Sequence, residues 1–294
     1  MNIKKLIIAL SLMTITALPA LLLAETGLSG GIILLQPVSA KATALGEAYV
    51  ASSNDVFGFS YNPAQEIQDR QFSAHFHQGL LEDSFSAFGL AVPLSFGSLG
   101  VNILHYNGGP IELLTAAGDE RSVKAQSDLV GLLSLNRKLG QVILGGSLKY
   151  LSSELIEEYS DSTFLFDVGA KYLYSEQLQF GAALQNLGGQ IKYLDEQEPL
   201  PSLFRIGAIY RHKALTAELD AVKIYDESYI KKHLGFSYQL LDVLTLLAGY
   251  KFGYDSEDLS LGLGFTQEWF SFNYAFVPYA DLGDVHTISL GVKF

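Results

Sequence analysis

The last eight residues of this chain, Thr287–Phe294, alternate without a break. Ile288, Leu290, Val292 and Phe294 share one face of an extended strand; Thr287, Ser289, Gly291 and Lys293 share the other. The run closes on an aromatic residue, where chain ends are ordinarily frayed and polar. The same period of two recurs upstream. Segments near 71–80, 84–93, 99–106, 128–138, 142–152, 163–172, 178–187, 202–211, 215–222, 230–240, 244–252, 259–266, 270–276 and 286–294 alternate in this way, with turn residues between them. Fourteen strands, each with one apolar and one polar face, predict an all-β chain.

The apolar faces carry large side chains. Phe164, Phe166, Val168 and Tyr172 oppose Asp167, Gly169 and Lys171; Leu259, Leu261, Leu263 and Phe265 oppose Ser260, Gly262 and Gly264. Phe270, Phe272, Tyr274 and Phe276 stand opposite Ser271, Asn273 and Ala275, and Phe204, Ile206 and Tyr210 opposite Arg205, Gly207 and Arg211. Charged residues are only 17% of the chain, below the roughly 25% of soluble domains, so these stripes have little polar surface to cover them. A β-sandwich or solenoid explains alternation. It does not explain the connections. Those at 94–98, 139–141, 173–177, 212–214, 241–243 and 267–269 are short, and those at 107–127, 153–162, 188–201, 223–229, 253–258 and 277–285 are longer. The long ones follow odd-numbered strands, apart from the first connection near 81–83, which is short. An antiparallel transmembrane barrel of the bacterial outer membrane has this asymmetry, with apolar side chains toward lipid and polar ones toward the lumen. Lys149, Asp167, Lys171, Arg205, Arg211, Glu218, Asp220 and Lys251 fall on the lumen side of this register. Their mixed signs predict ion pairs between the wall and whatever fills it, rather than an ion-selective ring. The closing face Ile288, Leu290, Val292 and Phe294 is the expected barrel-assembly signal. Phe294→Asp, or its deletion, is predicted to impair membrane assembly; undiminished folded, heat-modifiable barrel on gels would count against this.

The N-terminus divides off from the barrel. Lys4 and Lys5 precede an apolar run from Leu6 to Leu23, and Ala24 is the expected last residue before cleavage. Residues 1–24 therefore read as a secretory signal peptide, with an uncleaved anchor as the alternative. Residues 25–70 lack strand alternation and are rich in small side chains, including Ser39, Ala40, Ala42, Ala44, Gly46 and Ala48. They are expected to form a short helix and packed loop, ahead of a barrel at 71–294.

Several chemistries are excluded or unsupported. The chain has no cysteine, which rules out disulfides, thiolate metal sites and a cysteine nucleophile. Its net charge of −12 disfavours nucleic acid as a partner. No nucleophile elbow, phosphate loop or His-Glu-x-x-His is present, so no enzyme activity and no cofactor are expected. His75 and His77 share a strand face, with His105 as a conceivable third ligand; polar lumen wall is the preferred reading and no metal is assigned. The outward connections hold 19 of the 31 Asp and Glu residues, which keeps those loops solvated. Divalent cations bridging to lipopolysaccharide phosphates are the alternative.

Four segments, in order, resemble the PorV/PorQ family of outer-membrane proteins, which belongs with the FadL-type transport barrels. They are Ala44-Leu45-Gly46-Glu47-Ala48-Tyr49-Val50-Ala51 with Asn54-Asp55 and Tyr61-Asn62-Pro63-Ala64; Phe166–Tyr172 with Leu184–Gly189; Pro199–Ala208; and Asn273–Phe276 with Leu282-Gly283 and His286–Leu290. Their order and spacing hold from about residue 36 to the C-terminus, so the match extends over nearly the whole chain after the leader. Gln65 stands where the family usually has glycine, and Asn273 where an acidic residue is common. The resemblance implies a fourteen-stranded barrel with an N-terminal hatch in the lumen. Gly46, Tyr49, Asp55, Gly58, Tyr61, Asn62 and Pro63 become the hatch or gating residues. It also implies a part in type IX-like protein secretion, with outer loops and rim meeting secreted proteins or secretion-system subunits. The alternative is a FadL-like passive conduit for a hydrophobic ligand. Either reading places the protein in the outer membrane, in contact with lipid, lipopolysaccharide and the outer-membrane assembly machinery.

Overall fold

A computed structural model describes residues 31–52, 54–114, 120–193, 196–225, 227–254 and 258–294. The expected leader and its cleavage position lie outside them. The described residues form eighteen strands: β1 (Gln71–Gln78), β2 (Ser84–Leu94), β3 (Gly97–Asn107), β4 (Pro110–Leu114), β5 (Glu120–Lys124), β6 (Gln126–Leu139), β7 (Val142–Leu155), β8 (Tyr159–Leu173) and β9 (Leu178–Leu187), then β10 (Gln190–Tyr193), β11 (Glu196–Pro199), β12 (Leu203–His212), β13 (Leu215–Ile224), β14 (Lys231–Leu241), β15 (Leu244–Phe252), β16 (Leu259–Thr266), β17 (Phe270–Pro278) and β18 (Asp284–Lys293). Fourteen close an antiparallel barrel in which each strand pairs with its sequence neighbour in the wall, and β1 pairs with β18. The remaining four form two separate hairpins, β4–β5 and β10–β11.

The wall is apolar outside and polar inside, the reverse of a soluble domain. Phe76, Phe88, Phe164, Phe166 and Ile206 are about half exposed, while Asp167, Lys171 and Asp220 on the inward face are buried. The closure follows the same parity. Ile288 faces outward between Phe76 and Tyr274, and Leu290 between Ala74 and Phe272. Among the described residues no helix is long and apolar enough to cross a membrane, so the strands alone present such a surface.

Two expectations about the connections change. The 153–162 stretch is not a loop. β7 and β8 continue through it, pairing Ser153 with Asp161 and Glu154 with Ser160, and turn over only three residues. Beyond the hydrocarbon layer a strand has no need of outward apolar residues, so its periodicity fades while its ladder persists. β6, β7 and β8 are 14, 14 and 15 residues long against 8–11 for the other barrel strands, and the wall is tallest there. The 107–127 and 188–201 connections are not bare loops either, since each holds one of the two hairpins.

Inside the barrel lies the segment 31–70. It begins with a 3-10 turn at Ile32–Leu35 and a helix, α1, at Ala40–Ala44. Ser39 caps α1, its side chain accepting from the Ala42 amide. A second 3-10 turn, Val56–Ser60, is capped by Asp55 in the same way. Small residues let α1 lie flush on β15–β18: Ala40, Ala42 and Ala44 are fully buried. On the opposite side Val56, Phe59 and Ile67 pack on Ala91 and Leu132 of the wall.

Candidate functional site

The seven inner residues singled out by sequence sit on this segment, and each is fixed by a specific contact. Gly46 has φ of 61° and donates from its amide to Ser260 Oγ at 3.1 Å. Opposite it, Gly249 of β15 leaves no room for a side chain: an added Cβ would collide with the Gly46 amide and the Leu45 carbonyl carbon. Tyr49 is fully buried; its hydroxyl donates to Asp55 Oδ2, and its ring meets the Tyr61 ring edge-on at 5.3 Å. The other Asp55 oxygen accepts from Gly58 at 2.9 Å. The Tyr61 hydroxyl accepts from the Val38 amide at 3.2 Å, and the Arg205 guanidinium lies over its ring at 5.5 Å.

Asn62 and Pro63 form a turn for the reason their residue types suggest. Asn62 Oδ1 accepts from the Ala64 amide at 3.0 Å, while its Nδ2 donates to Val50 O of the inner segment and Ala170 O of the wall. The Pro63 carbonyl accepts from Asn136 Nδ2 on β6 at 3.1 Å. Gln65 also serves this turn, donating to the carbonyls of Gly58 and Asn62. Ile288, Leu290, Val292 and Phe294 lie apart from all of these, on the outer wall.

Wall residues complete the arrangement. Asp220 Oδ2 accepts both the Tyr49 amide, at 2.7 Å, and the Val50 amide, at 2.8 Å. Lys251 reaches Glu47 at 3.3 Å, with both side chains about 10% exposed. Glu47 lies within the first resembling segment but not among the expected gating residues; its backbone is left-handed here (φ of 59°), and its partner Lys251 lies far along the chain. Burial pushes the Glu47 carboxyl up, but the positive charge of Lys251, with His233 and Arg205 behind it, outweighs burial and holds it below the ordinary value of 4.5. A lowered carboxyl stabilises the folded state above that value and loses the effect as pH falls through its own lowered value. Amide protection factors over 45–52, corrected for intrinsic exchange, are therefore expected to fall below pH 4.5 and to stay level between pH 5 and 8. Equal protection at acid and neutral pH would contradict this.

His75 and His77 face each other inside the barrel and do not converge with His105. His77 Nδ1 faces His75 Nε2 at 3.4 Å, His75 Nδ1 pairs with Ser289 Oγ, and His77 stacks on Phe85. His105 lies on the outer face, because inward Leu104 and Tyr106 flank it. No metal-binding group of three or more side chains occurs among the described residues.

Two cavities flank α1 and share no lining residue. The one on the long-loop side holds about 330 Å³, with Leu35, Leu203, Val222, Ile224 and Val277 as its apolar wall. Arg205, Lys251, Lys231 and Tyr254 form its polar side. The ammonium groups of Lys231 and Lys251 lie 4.5 and 4.4 Å from the Tyr254 ring centre. Arg205 Nε donates to Gln185 Oε1, whereas its buried Nη1 meets no acceptor among the described residues. The cavity on the short-turn side holds about 500 Å³ and is polar.

No family model matches the chain, and no curated protein matches it. Solved structures do match in fold. The Pseudomonas putida toluene transporter TodX aligns with a TM-score of 0.66 at 10% identity, over 87% of this chain and 98% of that one. The CymD monoaromatic hydrocarbon channel aligns at 0.63 and 11%, over 87% and 97%. A Pseudomonas aeruginosa FadL homologue aligns at 0.59 and 13%, over 87% and 98%. The chain thus has the FadL-type barrel fold.

Proposed function

We propose that this protein is a non-enzymatic outer-membrane barrel that conducts small hydrophobic molecules, with residues 31–70 as its hatch. The long-loop cavity carries this reading: an apolar wall stands directly over the inner segment, in a fold shared with a toluene transporter and a monoaromatic hydrocarbon channel. A solute would rest against Leu203, Val222 and Ile224, and a polar end on it would face the Arg205 and Lys231 side chains that line the cavity. Glu47–Lys251 and the Asp220 contacts would hold the hatch closed beneath it. Export through the leader, insertion by the assembly machinery and a surround of lipid and lipopolysaccharide belong to the same proposal. The secretion-associated role implied by the PorV/PorQ motifs rests on those motifs alone.

Affinity capture from detergent extracts, followed by mass spectrometry of proteins and organic extracts, separates the two readings. An apolar molecule retained by the native chain and lost from a Leu203→Glu variant supports conduction. Co-purified secretion subunits without an apolar molecule would move the assignment to docking.

A further inference from the structure

The short-turn cavity has a chemistry that a hydrophobic solute does not use. Ser73, Thr216, Ser237, Gln239, Thr245 and Thr266 point into it from adjoining strands. Lys41, Arg211, Lys213 and Lys293 supply its cations. Asp55 is the one carboxylate in the lining, and both of its oxygens already accept hydrogen bonds. None of the four cations is within ion-pair distance of a carboxylate among the described residues; the buried Glu218 carboxylate, behind the lining, attracts Lys41 and Arg211, so four cations stand against Asp55 and Glu218. In a chain of net charge −12, this concave surface is therefore positive. Its low-dielectric barrel wall focuses that potential on whatever enters.

The uncharged groups narrow the class further. Hydroxyls and amides both donate and accept, whereas ammonium and guanidinium groups only donate. A ligand suited to all of them carries several hydroxyls and an oxyanion. The volume of about 500 Å³ lies within the range of small-ligand pockets, roughly 300–1,000 Å³.

The geometry points to a binding site here for a small polyhydroxylated anion, a sugar bearing a phosphate or carboxylate, entering from the short-turn end. It is independent of the conduction reading, since α1 separates the two cavities.

Calorimetric titration of the full chain in micelles tests it with glucose 6-phosphate, glucuronate, glucose and inorganic phosphate. Saturable binding of either sugar anion, at least ten-fold tighter than glucose and inorganic phosphate, is the expected result. The Lys41→Gln/Arg211→Gln pair should weaken it ten-fold or more while the barrel stays heat-modifiable. Should that pair fail to fold, Lys213→Gln/Lys293→Gln, at the exposed mouth, should weaken binding about three-fold. Absence of saturation, equal affinity for glucose, or indifference to the substitutions would overturn the site. Inorganic phosphate binding as tightly as the sugar phosphate would overturn it as well, leaving a bare anion site.

Discussion

Gly249→Val is expected to lower the folded-to-unfolded ratio of the barrel by about ten-fold or more. The Gly249 position faces the Gly46 amide and the Leu45 carbonyl carbon, which are backbone atoms and cannot swing aside as a side chain could. The loop is pinned as well, since Gly46 bonds Ser260, Tyr49 and Val50 bond Asp220, and Glu47 bonds Lys251. Overpacking of a close contact costs about 1–3 kcal/mol, and about 1.4 kcal/mol is a ten-fold change in population. The measurement is urea unfolding from lipid vesicles, with protease sensitivity of 31–70 as a second readout. Gly131→Ala is the control. A Cβ added there meets nothing within 4 Å, and the folded-to-unfolded ratio should not change. A Gly249→Val protein with native stability and a protected inner segment would show that the loop is not seated against β15.

Asp167→Ala carries the other large effect. Lys149 Nζ lies 2.8 Å from Asp167 Oδ2, with side-chain exposures of 6% and 0%. The pair also holds an irregularity in the wall. Between β8 and β9 the register shifts, with Phe166 opposite Leu187 but Val168 opposite Leu184. Asn186, at φ of 58°, sits in that bulge. Its amide donates to Asp167, its Oδ1 accepts from Lys149, and its Nδ2 donates to Pro201 O. Removing the carboxylate leaves a buried ammonium without its counter-charge, which costs about 3–5 kcal/mol. Urea unfolding from lipid vesicles should show that loss. The double variant Asp167→Ala/Lys149→Met should recover most of it, because no lone charge remains. A single variant within about 1 kcal/mol of the native chain would be below the cost of an unpaired buried charge and would remove this account of the bulge.

The barrel was legible because its physics is local. Alternation depends on which side of a strand a residue falls, so Phe166 outside and Asp167 inside follow from adjacent positions. The same parity placed Lys149, Lys171, Arg205, Glu218, Asp220 and Lys251 on the inward, buried face. It failed where lipid ceased to impose it. Above the apolar zone, Ser153, Glu154 and Ser160 read as loop yet pair as strand. His105 shows parity applied too loosely, since an odd step from Leu104 sends it to the outer face, away from His75.

The candidate site was only partly legible. The Asn62-Pro63 turn and the Asp55 cap are short-range devices, and their residue types reveal them. Glu47 with Lys251, and Tyr49 with Asp220, join positions 204 and 171 residues apart. By itself the sequence determined a fourteen-strand barrel, its inward and outward faces, and a non-strand segment ahead of it, because each depends on periodicity or on neighbouring residues. Only the tertiary structure decided where that segment meets the wall, how it leaves two separate cavities in the lumen, and which buried charges are paired. Those outcomes depend on barrel closure, which brings distant strands around one short stretch of chain.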